Sequence, residues 1–224
     1  MDHARKRLNP MVTPQTGLSF APPFWQRMGE CGLRVATGEA TLACYGALIS
    51  KKPDEIEDVI PSDGSLLVIL RPGAEPSAAL WAALAAPGVD TSPLEGRLHL
   101  IPVEYGGAAG PDLPALATQA GLDVATYINC HAAAEYRVAF LGFQPGFPYL
   151  NGLPSVLRSP RRLTPRLRVE AGSVAIGGRY AGIYPASGPG GWQIIGRTAA
   201  VLFDPQRDPP TLLLPGDRLR FVPQ

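Results

Sequence analysis

Lysine is nearly missing from this chain. Only three of its 20 basic residues are lysine (Lys6, Lys51 and Lys52), and none lies in a Gly-x-x-x-x-Gly-Lys-Ser/Thr pattern. A P-loop is therefore excluded, and any nucleotide must be held another way. Cysteine is as scarce. Cys31, Cys44 and Cys130 are an odd number at unrelated spacings, which supports neither a disulfide framework nor a Cys-x-x-Cys metal site and points to a reducing, cytoplasmic setting. No apolar stretch follows Arg5–Arg7 to make a secretory signal. The most apolar helical candidate, Ala78 to Ala86, is far shorter than the ~20 residues of a membrane span. The expectation is a soluble protein without a membrane partner. Charge is also low, at 17% of residues against the usual quarter, which hints at surface covered by a partner.

The chain is instead rich in glycine and proline, 25 of each, a composition suited to short strands separated by turns. Its arginines are unevenly spread. Between Arg137 and Phe203 lie eight arginines and one acid, Glu170, a formal charge of +7 in a chain whose net charge is +1. An arginine fork suits planar carboxylate or phosphate groups, so this segment implies an anionic ligand or partner. Nucleic acid is not expected, because the cluster has no lysine and overall charge is near zero. The segment has no histidine and no carboxylate pair, which removes the usual metal sites and two-carboxylate chemistry from it.

Taken in order, residues 1–30 show neither a period of 2 nor of 3.6 and are expected to be an arm, with docking of Phe24-Trp25 as the alternative. Residues 31–92 read as a small α+β unit. Leu33–Ala36, Thr41–Ile49, Ile56–Ile60 and Leu66–Leu70 are expected strands, the last two joined by the turn residues Pro61-Ser62-Asp63-Gly64, and Ser77 caps a helix through Ala86. Asp90–Pro93 is the expected link. Residues 93–224 read as a second unit. It opens with a strand over 97–103, followed by a helix from Leu113 to Ala120 capped by Asp112 and one capped by Asp123. Short strands follow at Tyr136–Phe140, Ser173–Ile176, Gln193–Ile195, Ala199–Phe203 and Arg218–Val222, the pattern of a barrel.

Four features of the second unit could carry chemistry. The apolar loop Leu141–Leu150 either lines a pocket or folds back on its own core. The proline-stiffened run Pro160–Arg168 makes an extended basic rim or a solvated loop. Ser173 and the glycines before Trp192 could offer a hydroxyl and amides to an oxyanion, or serve only as turns. His131, near a helix end, is the best general acid/base candidate, although a histidine there can simply complement the helix dipole.

Several segments in one order resemble a known family. They are Val103-Glu104-Tyr105-Gly106-Gly107, Leu141-Gly142-Phe143-Gln144-Pro145-Gly146-Phe147-Pro148-Tyr149-Leu150, Ala171-Gly172-Ser173-Val174-Ala175-Ile176-Gly177-Gly178, Gly182-Ile183-Tyr184-Pro185, Pro189-Gly190-Gly191-Trp192 and Pro215-Gly216-Asp217-Arg218. Together they resemble the carboxyltransferase C/D family, which includes the B-type subunit of 5-oxoprolinase, proteins described as allophanate hydrolase subunit 1, and the kinase inhibitor KipI.

The resemblance implies a mostly β fold, with a C-terminal cyclophilin-like β-barrel preceded by a small ferredoxin-like α+β domain. It implies a subunit of an ATP-dependent 5-oxoprolinase, which opens 5-oxoproline to glutamate and is inactive alone. The implied cofactor is ATP with Mg2+, and biotin is not expected. The implied partners are a second carboxyltransferase-type subunit and a third LamB/YcsF-like subunit. Catalytic roles would fall to His131, Ser173 and Arg197. Substrate or nucleotide contacts would fall to Phe143, Pro145, Gly146, Phe147, Arg162, Arg166, Tyr184, Gly190, Gly191 and Gln193. A KipI-like inhibitor of a sensor histidine kinase and a biotin-dependent carboxyltransferase component are the alternatives.

The chain departs from the family pattern at Glu170, at Tyr180-Ala181 and at Gly188, so a ligand-touching hydroxyl is expected to be lost or moved to Ser187. A long helix expected between Tyr45 and Ile56 has no room in this reading, which makes the small domain a shortened one.

Overall fold

The structure, a computed structural model, describes residues 24–85 and 96–224. The remainder of the expected arm, Ala86 and the expected link at Asp90–Pro93 lie outside the described residues.

The N-terminal unit is a four-stranded antiparallel sheet covered on one face by helices. Strands β1 (Trp25–Met28), β2 (Gly32–Ala36), β3 (Ile56–Ser62) and β4 (Ser65–Leu70) lie in the order β1-β2-β4-β3. The Asp63-Gly64 turn closes β3 onto β4, with Ser62 opposite Ser65 and Gly64 at φ 67°. Alternation buries Leu33, Val35, Leu66 and Val68 against the helices.

Two expectations are corrected here. Trp25–Met28 belongs to the sheet rather than to an arm, in line with the docked alternative: β1 pairs along β2, and Trp25 packs on Trp81 with ring centroids 5.5 Å apart. The segment expected as a strand over Thr41–Ile49 is helix α1 (Thr41–Lys51). Its apolar residues Cys44, Ala47 and Leu48 recur at helical spacing and are buried on the sheet. The helix ends at Lys52 in the left-handed conformation, whose amide donates to the Leu48 carbonyl at 2.8 Å. The expected shortage of room is therefore not seen. Helix α2 (Ala78–Ala85) begins where the Ser77 hydroxyl accepts from the Leu80 amide at 3.2 Å, as the cap predicts.

The C-terminal unit is a closed seven-stranded barrel. Its members are β5 (Leu98–Tyr105), β6 (Tyr136–Leu141), β7 (Pro148–Asn151), β9 (Ser173–Gly177), β10 (Tyr180–Ile183), β12 (Gln193–Arg197) and β13 (Arg218–Pro223). β8 (Arg166–Val169) and β11 (Gly188–Gly190) form a separate two-stranded ribbon. Helices α3 (Leu113–Gln119) and α4 (Val124–Ala133) connect β5 to β6. Asp123 caps α4 through the Thr126 amide at 2.7 Å, whereas Asp112 makes no such cap on α3.

Closure depends on β13, which pairs in parallel with β5 and antiparallel with β6. Asp217 pins that seam by accepting from the amides of Arg97 (2.8 Å) and Leu214 (2.9 Å), with His99 Nε2 at 3.2 Å. Expected strand Ala199–Phe203 forms no strand. It contributes a single bridge, Phe203 to Thr211, in a loop held by the Arg207 guanidinium, which donates to the carbonyls of Val201, Leu202 and Pro210. The two units meet at an ion pair between Arg179 and Asp63.

Candidate functional site

Three pieces of the barrel unit converge beside the β8–β11 ribbon: the loop after β6, the basic run before β8, and the turn before α3. The loop contributes aromatic surface. Phe147 is buried, with its ring edge-on to Tyr184 (5.1 Å) and Trp192 (5.3 Å). Glycines make this density possible. A Cβ at Gly177 would come within 2.4 Å of the Trp192 ring, and one at Gly190 within 2.4 Å of the Tyr184 hydroxyl. Burial pushes the Tyr184 phenol up, so it stays protonated and donor-competent. Gly146, at φ 79°, lies against the backbone of Leu202.

The basic run supplies the charge. Arg161 stacks over Trp192 with its guanidinium 5.9 Å from the ring centroid. Arg162 and Arg166 both turn to one carboxylate: Asp112 Oδ1 accepts from Arg166 Nη2 at 2.7 Å and from Arg162 Nη1 at 3.4 Å. Asp112 Oδ2 accepts from the Ile194 amide at 2.7 Å, fixing the acid to β12. Two polar atoms of this neighbourhood, Arg166 Nη1 and Gln144 Oε1, are buried without a hydrogen-bond partner among the described residues. Such atoms are uncommon in native proteins. Among the described residues no group of three or more His, Cys, Asp or Glu side chains could hold a metal ion.

Residues 27–213 match the family described as "Carboxyltransferase domain, subdomain C and D". The chain belongs to that family. It is 58% identical over 130 residues to the B-type subunit of 5-oxoprolinase from Escherichia coli O157:H7, a stretch covering 58% of this chain and 60% of that protein. It is 49% identical to the same 5-oxoprolinase component of Haemophilus influenzae over 64% of this chain and 65% of that one. The matches thus span under two thirds of these relatives' length. A conserved uncharacterized protein from Pyrococcus horikoshii has a similar structure, with TM-score 0.56, 36% identity, and coverage of 90% of this chain and 97% of its own.

The structure of this carboxyltransferase C/D chain does not bring the three expected catalytic residues together. His131 is 0% exposed and lies in the barrel core, stacked on Phe221 at 4.6 Å, beside Tyr136, with Nδ1 2.8 Å from the Tyr105 hydroxyl. Burial pushes its pKa down to about 3, so it is neutral and has no solvent-facing proton to exchange. The structure packs His131 as a core histidine. Ser173 and Arg197 are opposite one another on β9 and β12, at the end of β12 away from Gln193 and Ile194. Ser173 is buried and Arg197 exposed.

Ser187 is not free to replace a lost hydroxyl, since its Oγ donates to Glu170 Oε2 at 3.0 Å and accepts from the Ala171 amide at 3.1 Å. Glu170 also takes Arg168 at 2.7 Å, an exposed pair that holds its carboxyl below the usual range.

Among the expected contact residues, Phe143, Phe147, Tyr184, Gly190, Arg162 and Arg166 do gather at one place. Pro145 stands exposed at the loop tip. Gln193 Nε2 donates to the Pro160 carbonyl at 3.2 Å, and the Gly191 carbonyl accepts from the Arg162 amide at 2.7 Å, so both brace the basic run. Asp112 and Gln144 were not among the expected site residues. Gln144 lies inside the family-like segment Leu141–Leu150, while Asp112 looks from its position like an ordinary helix cap.

Proposed function

We propose that this chain is the B-type subunit of an ATP-dependent 5-oxoprolinase and that it works in the cytoplasm with a second carboxyltransferase-type subunit and a third LamB/YcsF-like one. The observation that carries this reading is the 58% identity to a protein bearing the name of that 5-oxoprolinase component. The site is chemically compatible. 5-Oxoproline presents a carboxylate and a lactam, and the nucleotide a polyphosphate. Arg161, Arg162 and Arg166 offer forks for such anions, Arg166 with a nitrogen unclaimed by any acceptor among the described residues. Phe143, 60% exposed, supplies an apolar face against which a small ring can lie.

ATP fits as an anionic ligand of these arginines, and it would supply the driving force for opening a stable amide. Mg2+ in this reading arrives on the nucleotide phosphates. Asp112 keeps Arg162 and Arg166 in position. No biotin is required. Fully exposed Leu163 and Leu167, at 103% and 95%, flank these arginines and suit burial against another subunit.

The test is ATP hydrolysis by the chain co-purified with its carboxyltransferase-type partner, with and without 5-oxoproline. Hydrolysis stimulated by 5-oxoproline is expected. A well-formed complex without it would exclude this function.

A further inference from the structure

The turn from Gly142 to Phe147 is folded twice. Phe143 has φ 67°, and across it the Gln144 amide donates to the Gly142 carbonyl at 2.7 Å, a three-residue turn of the strained hand. The Phe147 amide then donates to the Gln144 carbonyl at 3.0 Å over Pro145 and Gly146, with glycine where φ must be positive. Bulky aromatics seldom adopt a positive φ, and such strain gathers at ligand clamps.

Two consequences of this turn are visible. Gln144 points inward, so that a Cβ on Gly188 would lie 3.0 Å from its Nε2, and its Oε1 is buried without a partner among the described residues. Phe143 points outward, 60% exposed, with its ring edge-on to Phe147 at 5.5 Å and Tyr184 at 6.1 Å. Gly188 and Gly190 are the positions of β11 paired to β8, Gly190 opposite Arg166. The carboxamide of Gln144 thus lies at one end of the glycine ribbon and the backbone of Arg166 pairs with its other end, and each side chain has a buried atom with no partner among the described residues.

We propose that this loop is a ligand clamp in its closed form, in which Gln144 reads a cyclic amide, Arg166 Nη1 takes a carboxylate on the same ligand, and Phe143 swings aside to admit it. This deepens the 5-oxoprolinase reading and rests on it. The carboxamide has a donor and an acceptor on one edge. A five-membered lactam is a cis amide and presents its N–H and C=O on one edge too, whereas an open-chain secondary amide is trans and presents them on opposite edges. Gln144 therefore selects ring-closed over open-chain amides. Such a ligand would meet Gln144 Oε1 and Arg166 Nη1, which have no partner among the described residues, beside the positive-φ Phe143.

Structural and ligand-reading roles for Gln144 make opposite demands on stability. If Gln144 held the loop together, Gln144→Met, similar in shape but without polar atoms, would lower the melting temperature. If it is an unpaired reader, the same change raises the melting temperature of the ligand-free protein.

The affinity test uses calorimetry on the chain co-purified with its carboxyltransferase-type partner, with 5-oxoproline and its open-chain counterpart N-acetylalanine as probes. Wild type is expected to prefer 5-oxoproline, and Gln144→Met to bind it at least tenfold more weakly and to lose the preference. Phe143→Gly, which fits the turn without strain, is expected to speed 5-oxoproline binding. Unchanged 5-oxoproline affinity in Gln144→Met, or a lowered melting temperature, overturns the clamp while stimulated ATP hydrolysis by wild type keeps the broader function. Wild type that neither binds 5-oxoproline nor responds to it in ATP hydrolysis overturns both.

Discussion

Arg166 and Asp112 meet at 2.7 Å across 54 residues of sequence, and the other oxygen of that carboxylate receives the Ile194 amide. One acid thereby ties the β8 ribbon to the barrel wall. Asp112 is only 12% exposed and Arg166 23%, so Asp112→Ala strands a largely buried guanidinium and an amide. A loss of about 2–3 kcal/mol is expected, the range for charged hydrogen bonds whose partner is left behind. Urea unfolding checks it as a lower midpoint at unchanged slope.

Acid sensitivity should originate in part at His131. Its pKa falls from an ordinary 6.5 to about 3 on folding, because burial disfavours the charged ring. The folded state then binds fewer protons than the unfolded one between those values. The contribution is complete above about pH 6.5 and is lost as pH falls toward 3, with a slope of up to about 1.4 kcal/mol per pH unit. His131→Phe is expected to flatten the stability profile over that window, as read by unfolding at a series of pH values. A catalytic histidine would instead show its effect in turnover.

Neighbouring glycines should behave differently. Gly190→Ala drives a methyl to 2.4 Å from the buried Tyr184 hydroxyl, whereas at Gly191 the nearest atom, on Pro165, is 3.7 Å away. The first is expected to cost about 1–3 kcal/mol as overpacking, and the second to stay within about 0.5 kcal/mol. Parallel thermal melts of the two variants separate them.

The sequence carries local signals well and long-range partners poorly. The Asp63-Gly64 hairpin, the Ser77 and Asp123 caps and most barrel strands could be read in advance because each is set by a few adjacent residues. Helix α1 was readable in principle: Cys44, Ala47 and Leu48 repeat at helical spacing, but Thr41, Leu42 and Tyr45 also suit a strand, and packing on the sheet decided the outcome. Asp112 sits where helix caps sit, and nothing near it in the chain reveals that arginines 50 and 54 positions later claim its side chain. For His131 the residue type suggested chemistry, while its surroundings, Tyr105, Tyr136 and Phe221, come from three different strands.

The order of the barrel bears on how the protein is made. β13 fills the gap between β5 and β6, so a chain emerging from the ribosome holds two uncovered sheet edges until Arg218–Pro223 is free of the exit tunnel. Exposed edges invite pairing with other chains. Closure must therefore wait for translation of Arg218–Pro223. A premature stop codon ahead of Arg218 would leave an open, sticky sheet, and a nascent-chain chaperone has most to protect in the interval before that strand arrives.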